Sequence, residues 1–263
     1  MTYNRPLKNT LSLFLLFLLL SAVSSCTGLS NTSHVQSPYV HIEELEAGQI
    51  LHVPTGTLLT EDELTAYLAS SRIVYIGESH RNVDHHRVQL DIIKALHEKA
   101  PGTVTVGMEM FQRPSQEIID KWSAGVVGEK ELFKRWVSDW GYNFALYREI
   151  LSYLKENNIP LVALNISRKR LGIGHHGNHK KETKEDKKEE PLATLDPDDP
   201  YHRAMIEAVY GDPSHGGVDF DAFYRIQLLW EETMAETAVK YLESKDGKGR
   251  TLIVLTGGGH VNY

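Results

Sequence analysis

Titratable side chains follow a short apolar segment of the sequence at Glu78-Ser79-His80. The apolar run Ile73–Ile76 and Gly77 precede them, and a second pair, His85-His86, comes a few residues later. A carboxylate and an imidazole at this spacing could hold a metal ion, or the carboxylate could orient the imidazole as a general base. Solvated loop residues, or a carboxylate that caps the next helix, would give the same pattern.

Three further apolar segments end in polar groups of the same kind. They run into Glu109–Arg113, Asn165–Arg168 and Gly257–His260. If the four segments are parallel strands, their carboxyl ends meet at one edge of the sheet, where ligands bind in α/β proteins. We therefore predict one shared site. Its predicted catalytic-type residues are Glu78, His80, Glu109 and His260, and its predicted wall residues are Arg113, His85, His86 and Asn165.

Two carboxylates and two histidines allow two kinds of chemistry. They could bind a divalent metal that activates water, or work without metal, with a histidine as general base. The sequence has no HExxH helix, no GxSxG elbow and no Walker loop. Two of these features also have a purely structural explanation. Arg113 could form an ion pair with Glu109, and the glycines before His260 could serve only to allow a tight turn.

The elements that must position these residues alternate along the chain. Strand-like runs are predicted at Arg72–Gly77, Thr103–Met110, Ile159–Asn165 and from Arg250 onward, with helical periodicity between them. Such alternation predicts parallel strands joined by crossovers, and continuous apolar strands are typical of burial on both faces. The predicted fold class is α/β, a mostly parallel β-sheet flanked by helices, with a smaller all-helical subdomain.

The chain also divides by composition. We predict an α/β domain over 51–263, with helical insertions at about 114–158 and 167–245. A low-complexity insert at 175–190 is rich in lysine and glutamate, which suits a solvated loop. The hydrophobic fraction of 41% supports a packed core, and a net charge of −7 without a basic stripe predicts no nucleic-acid partner.

The first 25 residues predict export. Arg5 and Lys8 form a positive region before the apolar run Leu11–Leu20, which is short for a membrane span. Small residues then precede Cys26, the only cysteine, in a pattern that resembles a bacterial lipobox. We predict a signal peptide over 1–25, lipidation at Cys26 and a tether over 26–50, with an ordinary signal peptide as the alternative. Thr27 favours a lipid-anchored protein of the cell envelope at the outer membrane, by resemblance to Gram-negative lipoproteins.

Several stretches together resemble a known family. They are YIGESHRNVDHHRVQLDII, VGMEMFQR, WGYNFALYREIL, YRIQLLWEETMAE and TGGGH. They resemble the ChaN-like haem-binding uptake lipoproteins of the Tiki, TraB and erythromycin-esterase superfamily, over about Arg72 to His260. The resemblance implies an exported lipoprotein that binds haem and takes part in haem or iron uptake, with an outer-membrane haem or iron receptor as partner and a homodimer in the haem-bound state.

The resemblance also implies a kind of haem site. A tyrosine of one subunit ligates the iron, and a histidine and a lysine of the other subunit hold the propionates; tyrosinate suits ferric haem. Our candidates for the iron ligand are Tyr147 first, then Tyr142 and Tyr224. The candidates for propionate contacts are His202, Lys169 and His215. An aromatic stripe at helical spacing could equally be core, and we expect that for Phe144.

Two functions follow from these observations. The favoured one is a haem-binding carrier without catalysis. The alternative is a hydrolase, a metal-dependent peptidase or esterase-like enzyme, that uses Glu78, His80, Glu109 and His260. A haem carrier does not require an acidic cluster at the strand ends. The motif Glu78-Ser79-His80 is therefore the part of the predicted site that the favoured function explains least.

Overall fold

The computed structural model describes residues 44–168, 170–171, 195–210 and 219–261. The predicted lipidation site Cys26, the candidates Lys169 and His215 and the insert at 175–190 lie outside these described residues. The chain divides after Thr60 into two units, whose described parts begin at residue 44 and residue 61. In the first unit, β1 (Ile50–His52) and β2 (Thr57–Leu59) form an antiparallel hairpin.

Four parallel strands form the sheet of the second unit. They are β3 (Ile73–Glu78), β4 (Val104–Gln112), β5 (Leu161–Asn165) and β6 (Thr251–Gly257). Their order in the sheet is β3-β6-β4-β5, and each neighbouring pair is parallel. All residues of β4 and β5 are buried, as continuous apolar strands predict.

Strand β4 extends two residues beyond the predicted end, to Gln112. The pairing of β4 with β5 shifts between Met108 and Gln112, so β4 continues while its partner ends at Asn165. Phe111 is completely buried within this extension, which gives a packing reason for the longer strand.

Seven helices flank the sheet within the described residues. They are α1 (Glu61–Ala69), α2 (Val83–Lys99), α3 (Gln116–Ser123), α4 (Glu129–Asp139), α5 (Arg148–Glu156), α6 (Pro200–Tyr210) and α7 (Phe220–Glu243). Side-chain caps start three of them, because Asn82, Asp199 and Asp219 accept hydrogen bonds from backbone N–H groups in the first turns of α2, α6 and α7. None of these described helices is long and apolar enough to cross a membrane.

Two hydrophobic clusters cover the two faces of the sheet. One contains Ile93 of α2, Trp136 of α4 and Val106 of β4, all completely buried. The other contains Met234 of α7 and Leu252 of β6. The fold class predicted from the sequence, a mostly parallel sheet between helices, is therefore confirmed. A third, smaller cluster of Ile206, Tyr224 and Leu228 joins α6 to the first half of α7.

The strand order decides which side chains become neighbours. Because β6 lies between β3 and β4, Glu78 at the end of β3 lies in register with Gly257 of β6. On the other side, β6 pairs with β4 up to the Met108–Leu255 step, just before Glu109. The carboxyl ends of the strands thus meet at one edge.

Candidate functional site

The carboxyl ends of all four sheet strands line one cleft of about 500 Å³. The strand ends contribute polar groups, including Glu78, His80, Glu109, Asn165, Arg168 and His260. The other walls are aromatic and apolar and include Trp140, Tyr142, Ile206, Val209, Phe223 and Trp230. The four predicted catalytic-type residues therefore share one cleft with an amphipathic lining.

Glu78 is the centre of a buried cluster beneath the cleft. His80 Nδ1 lies 2.8 Å from Glu78 Oε1, and the hydroxyl of Tyr147 donates a hydrogen bond to the same oxygen. His86 Nε2 lies 3.0 Å from Glu78 Oε2, although the pair is not aligned as a hydrogen bond. The Glu78 side chain is 0% exposed, so these neighbours replace water around its carboxylate.

Burial shifts the pKa values of two members of this cluster, His86 and Tyr147. Burial lowers the pKa of His86, and the nearby carboxylate of Glu78 only partly opposes it. Burial, together with the charge of Glu78, raises the pKa of Tyr147 above its usual value. We therefore expect His86 to be neutral and Tyr147 to be a phenol near neutral pH. Tyr147 acts as a donor that holds Glu78.

Glu109 forms a second cluster at the end of β4. Its Oε2 accepts hydrogen bonds from Gly257 N at 2.6 Å and from Thr256 Oγ1 at 2.7 Å. Its Oε1 lies 3.7 Å from His260 Nε2, while His260 Nδ1 lies 3.0 Å from Glu231 Oε1. The carboxylate thus ties β4 to β6 and faces the histidine that ends the glycine loop.

Glu231, in the middle of α7, is a site residue that sequence reasoning missed. Its Oε2 lies 2.8 Å from His202 Nε2, so its carboxylate bridges His202 and His260. Burial acts to lower the pKa of His260, but the hydrogen bond with Glu231 and the charges of Glu109 and Glu231 outweigh it and raise that pKa. Tyr224 and Glu231 are seven residues apart on α7, a helical spacing that could have pointed to this carboxylate.

His80 is held between a carboxylate and an aromatic wall. Its ring lies edge-on to Trp140 at 4.8 Å and is tilted at 5.3 Å from Tyr142. A Cβ added at Gly257 would lie 2.9 Å from His80 Cε1, so the ring packs directly on the glycine loop. This close approach gives one glycine of the TGGGH stretch a role in the site.

Two of the four predicted wall residues line the site, and two lie elsewhere. Asn165 lines the cleft and accepts a hydrogen bond from Ile166 N, and His86 belongs to the Glu78 cluster. His85 is exposed, and its Nδ1 accepts a hydrogen bond from Ser79 N at 2.9 Å. Arg113 turns to α7 instead, where it donates to Thr233 O and pairs with Glu236 at 2.7 Å.

The candidate tyrosines differ sharply in accessibility. Tyr147 is 0% exposed and Tyr224 is 1% exposed, with its hydroxyl 3.3 Å from His202 Nδ1. Tyr142 is 36% exposed and lines the cleft, with its ring 5.1 Å from that of Trp140. Of the three, only Tyr142 presents its ring to a ligand in the cleft. His202, a propionate candidate, is buried and already paired with Glu231.

A separate hydrogen-bonded wall lies between the ends of β4 and β5. Gln112 donates to the Asp139 carbonyl at 3.0 Å and accepts from Arg168 N at 3.1 Å. Burial raises the pKa of Asp139, against the opposing effects of Ser115 and Arg135, which contact its carboxylate. The guanidinium of Arg168 donates to the Trp140 carbonyl at 3.2 Å. From the sequence, Arg168 was expected at a strand end but was not assigned to the site.

Metal binding finds no support in the arrangement of these side chains. No group of three or more histidine, cysteine, aspartate or glutamate residues could hold a metal ion within the part of the chain that is described. One oxygen of each carboxylate accepts hydrogen bonds from protein donors: Glu78 Oε1 from Tyr147, and Glu109 Oε2 from Gly257 N and Thr256.

Solved structures with the same overall architecture include one convincing match. A structure of cofacial haem binding to ChaN of Campylobacter jejuni matches with a TM-score of 0.60 at 16% identity, over 80% of this chain and 79% of that chain. The C-terminal region of Pasteurella multocida toxin matches with a TM-score of 0.44 at 13% identity, over 76% of this chain and 21% of that chain. The first match shows a shared fold, and the second is too distant to carry an argument.

Sequence comparison extends this likeness from fold to family. No curated protein matches the chain. The sequence pattern of the family described as "Haem-binding uptake, Tiki superfamily, ChaN" matches residues 64–263, which include the whole cleft. The chain therefore belongs to the ChaN family of haem-binding uptake proteins in the Tiki superfamily.

Proposed function

We propose that this protein binds haem in the strand-end cleft and takes part in haem or iron uptake at the cell envelope. The observation that carries the proposal is the exposed phenol of Tyr142 on a cleft with aromatic and apolar walls. Family membership supports haem as the ligand, and the ChaN protein of Campylobacter jejuni, which has the same fold, binds haem cofacially.

The residues of the cleft fit a porphyrin. Haem has two apolar faces and two carboxylates at one edge, so its site needs apolar walls and a few polar groups. The cleft of about 500 Å³ lies within the usual range of small-molecule sites. Trp140, Phe223 and Trp230 supply apolar surface, and the strand ends supply polar groups on one side.

We assign Tyr142, the second sequence candidate, as the residue that would hold the iron. Ferric haem accepts an anionic phenol oxygen, and that requires a phenol the ligand can reach. Tyr147, the first candidate, is fully buried, donates to Glu78 and has a raised pKa, all of which oppose tyrosinate formation. Tyr224 is buried as well.

Haemin titration of the purified full-length chain tests this proposal. The wild type should give a shifted Soret band and a charge-transfer band of tyrosinate ligation. The Tyr142→Phe variant should lose the charge-transfer band and bind haemin at least about tenfold more weakly. The matched Tyr147→Phe variant, which removes a hydroxyl of the same kind a few residues away, should keep the band.

Two results would reject the proposal. One is a wild-type protein that leaves the spectrum of free haemin unchanged, and the other is loss of the band in Tyr147→Phe with retention in Tyr142→Phe. Circular dichroism on both variants shows that each is folded before its spectrum is compared.

The proposal includes a lipid anchor at Cys26, an outer-membrane haem or iron receptor as partner and a homodimer in the haem-bound state. These parts are supported by the lipobox-like sequence and by the family resemblance alone. Sedimentation of the haemin-titrated sample, followed at the Soret wavelength, measures the dimer directly. A haem-loaded species that sediments as a monomer contradicts that part.

A metal-independent hydrolase is the second candidate, and a specific arrangement favours it. In each of two histidines Nδ1 faces a carboxylate, at 2.8 Å for His80 with Glu78 and 3.0 Å for His260 with Glu231. This pairing orients each ring, and in His80 it leaves Nε2 as the candidate general base, whereas the raised pKa of His260 disfavours that role there. A panel of esters and peptides tests it: turnover should vanish in His80→Ala and persist in the exposed control His85→Ala. Wild-type protein without turnover rejects it.

A further inference from the structure

The carboxylates of the cleft are already engaged by protein groups. Glu78 is held by Tyr147 and His80, and Glu109 by Gly257 N and Thr256. Asp139, which is 3% exposed, accepts from Ser115 and Gln112 N and lies 3.2 Å from Arg135 Nε. Despite its acidic composition, the cleft therefore offers a ligand few free acceptor atoms.

In contrast to these carboxylates, Arg168 supplies a positively charged hydrogen-bond donor. It lies just beyond the end of β5, lines the cleft and is partly buried. Its backbone N–H is fixed by Gln112, and one guanidinium nitrogen donates to the Trp140 carbonyl at 3.2 Å. A guanidinium carries five N–H donors, so this single side-chain bond leaves most of them available.

Within the described residues that line the cleft, Arg168 is the one lysine or arginine, and its guanidinium makes no ion pair there, although its charge acts to lower the pKa of the nearby Asp139. The two histidines of the cleft, His80 and His260, each have a carboxylate partner. Arg168 lies near the aromatic wall, since its guanidinium donates to the backbone carbonyl of Trp140, and the Trp140 ring lines the same cleft, 5.1 Å from the ring of Tyr142. A flat ligand on that wall would bring an edge carboxylate towards the guanidinium.

We propose that Arg168 recognises a carboxylate of the ligand, which is a propionate if the ligand is haem. The assignment rests on the proposed function and adds a residue of the same subunit to the histidine and lysine that the family resemblance implies from the other subunit. A planar guanidinium fork binds a carboxylate through two parallel hydrogen bonds, which gives direction as well as charge.

The test compares haemin with haemin dimethyl ester, in which both carboxylates are neutral. Wild-type protein should bind the ester about tenfold or more weakly than haemin, because a charge-assisted hydrogen-bond pair is lost. Arg168→Gln should bind haemin more weakly and reduce the preference for haemin over the ester, since the part of that preference that comes from the guanidinium is lost. Arg168→Lys should retain part of the preference, because it keeps the charge without the fork.

Arg148→Gln is the matched control, since this exposed arginine pairs with Glu129 outside the cleft, and it should keep the wild-type preference. If Arg168 had a purely structural role, Arg168→Gln would weaken the binding of haemin and of the ester by the same factor. An unchanged ratio of the two affinities in Arg168→Gln therefore overturns the assignment. Equal binding of both ligands by the wild type also overturns it. If the wild type binds neither ligand, both the proposed function and this assignment are rejected.

Discussion

At the scale of single residues, the carboxylates of the site act as supports for other side chains. Glu78 contacts His80, His86 and Tyr147, and Glu231 bridges His202 and His260. A buried carboxylate is costly unless donors surround it, so each cluster holds its members in a defined arrangement. This explains why an acidic strand-end cluster is compatible with a carrier. Its negative groups fix the histidines and need not contact the ligand.

The buried His86 gives a prediction about pH. Burial lowers its pKa in the folded state relative to the usual value near 6.5, so near pH 6 the unfolded chain binds more protons than the folded one. Its contribution to stability is present above the unfolded-state pKa and is lost as the pH falls through the lowered folded-state pKa. Urea denaturation should therefore show the wild type losing more stability between pH 7.5 and 5.5 than His86→Gln does.

The exposed neighbour provides the control for this measurement. His85 lies on the same turn of α2, with its side chain at the surface, so His85→Gln should lose stability between the two pH values as the wild type does. An unchanged pH dependence in His86→Gln would show that His86 does not titrate in this way.

At the scale of elements, one edge of the sheet is closed by a side chain. Gln116 of α3 donates to Leu161 O at 2.9 Å and accepts from Ala163 N at 2.8 Å, as a neighbouring strand would. Both partners belong to β5, the edge strand. Pairing these backbone groups satisfies them and blocks addition of a foreign strand at that edge.

Removal of this side chain should cost measurable stability. Gln116→Ala leaves two backbone groups of β5 without their partners, and we expect the free energy of unfolding to fall by about 1–3 kcal/mol. Urea denaturation measures the change. The control is Lys121→Ala on the same helix, where loss of an exposed ion pair with Glu117 should cost less than about 1 kcal/mol. Equal costs for the two variants would mean that Gln116 does not close the edge.

At the scale of the whole molecule, the proposed function includes attachment of the chain to a membrane as well as haem binding in the cleft. The lone cysteine after an apolar segment predicts lipid attachment at Cys26, and two acyl chains or more are what stable membrane anchoring requires. In cell fractionation, wild-type protein should therefore be found with the membranes, and Cys26→Ser should move to the soluble fraction or retain its unprocessed signal peptide.

A nearby substitution controls for effects on export. Ser30 lies beyond the lipobox-like stretch, so Ser30→Ala should remain with the membranes. Membrane association of a processed Cys26→Ser protein would rule out the lipid anchor.

The sequence by itself determined the α/β class and the meeting of the strand ends. Apolar runs separated by helical periodicity are local patterns, and parallel strands in one sheet must present their carboxyl ends at one edge. For this reason Glu78, His80, Glu109 and His260 could be grouped from the sequence. The length of β4 was underestimated, because its extension to Gln112 depends on a register shift against β5.

Only the tertiary structure decided how individual side chains are used. Tyr147 and Tyr142 lie five residues apart in one aromatic stretch, yet one is buried against Glu78 and the other faces the cleft. Arg113 turns to α7, and Glu231 reaches in from that same helix. These contacts join residues distant in sequence, and they depend on which helix packs over which strand end. Local patterns predict the elements, whereas burial and partners are set when the elements pack together.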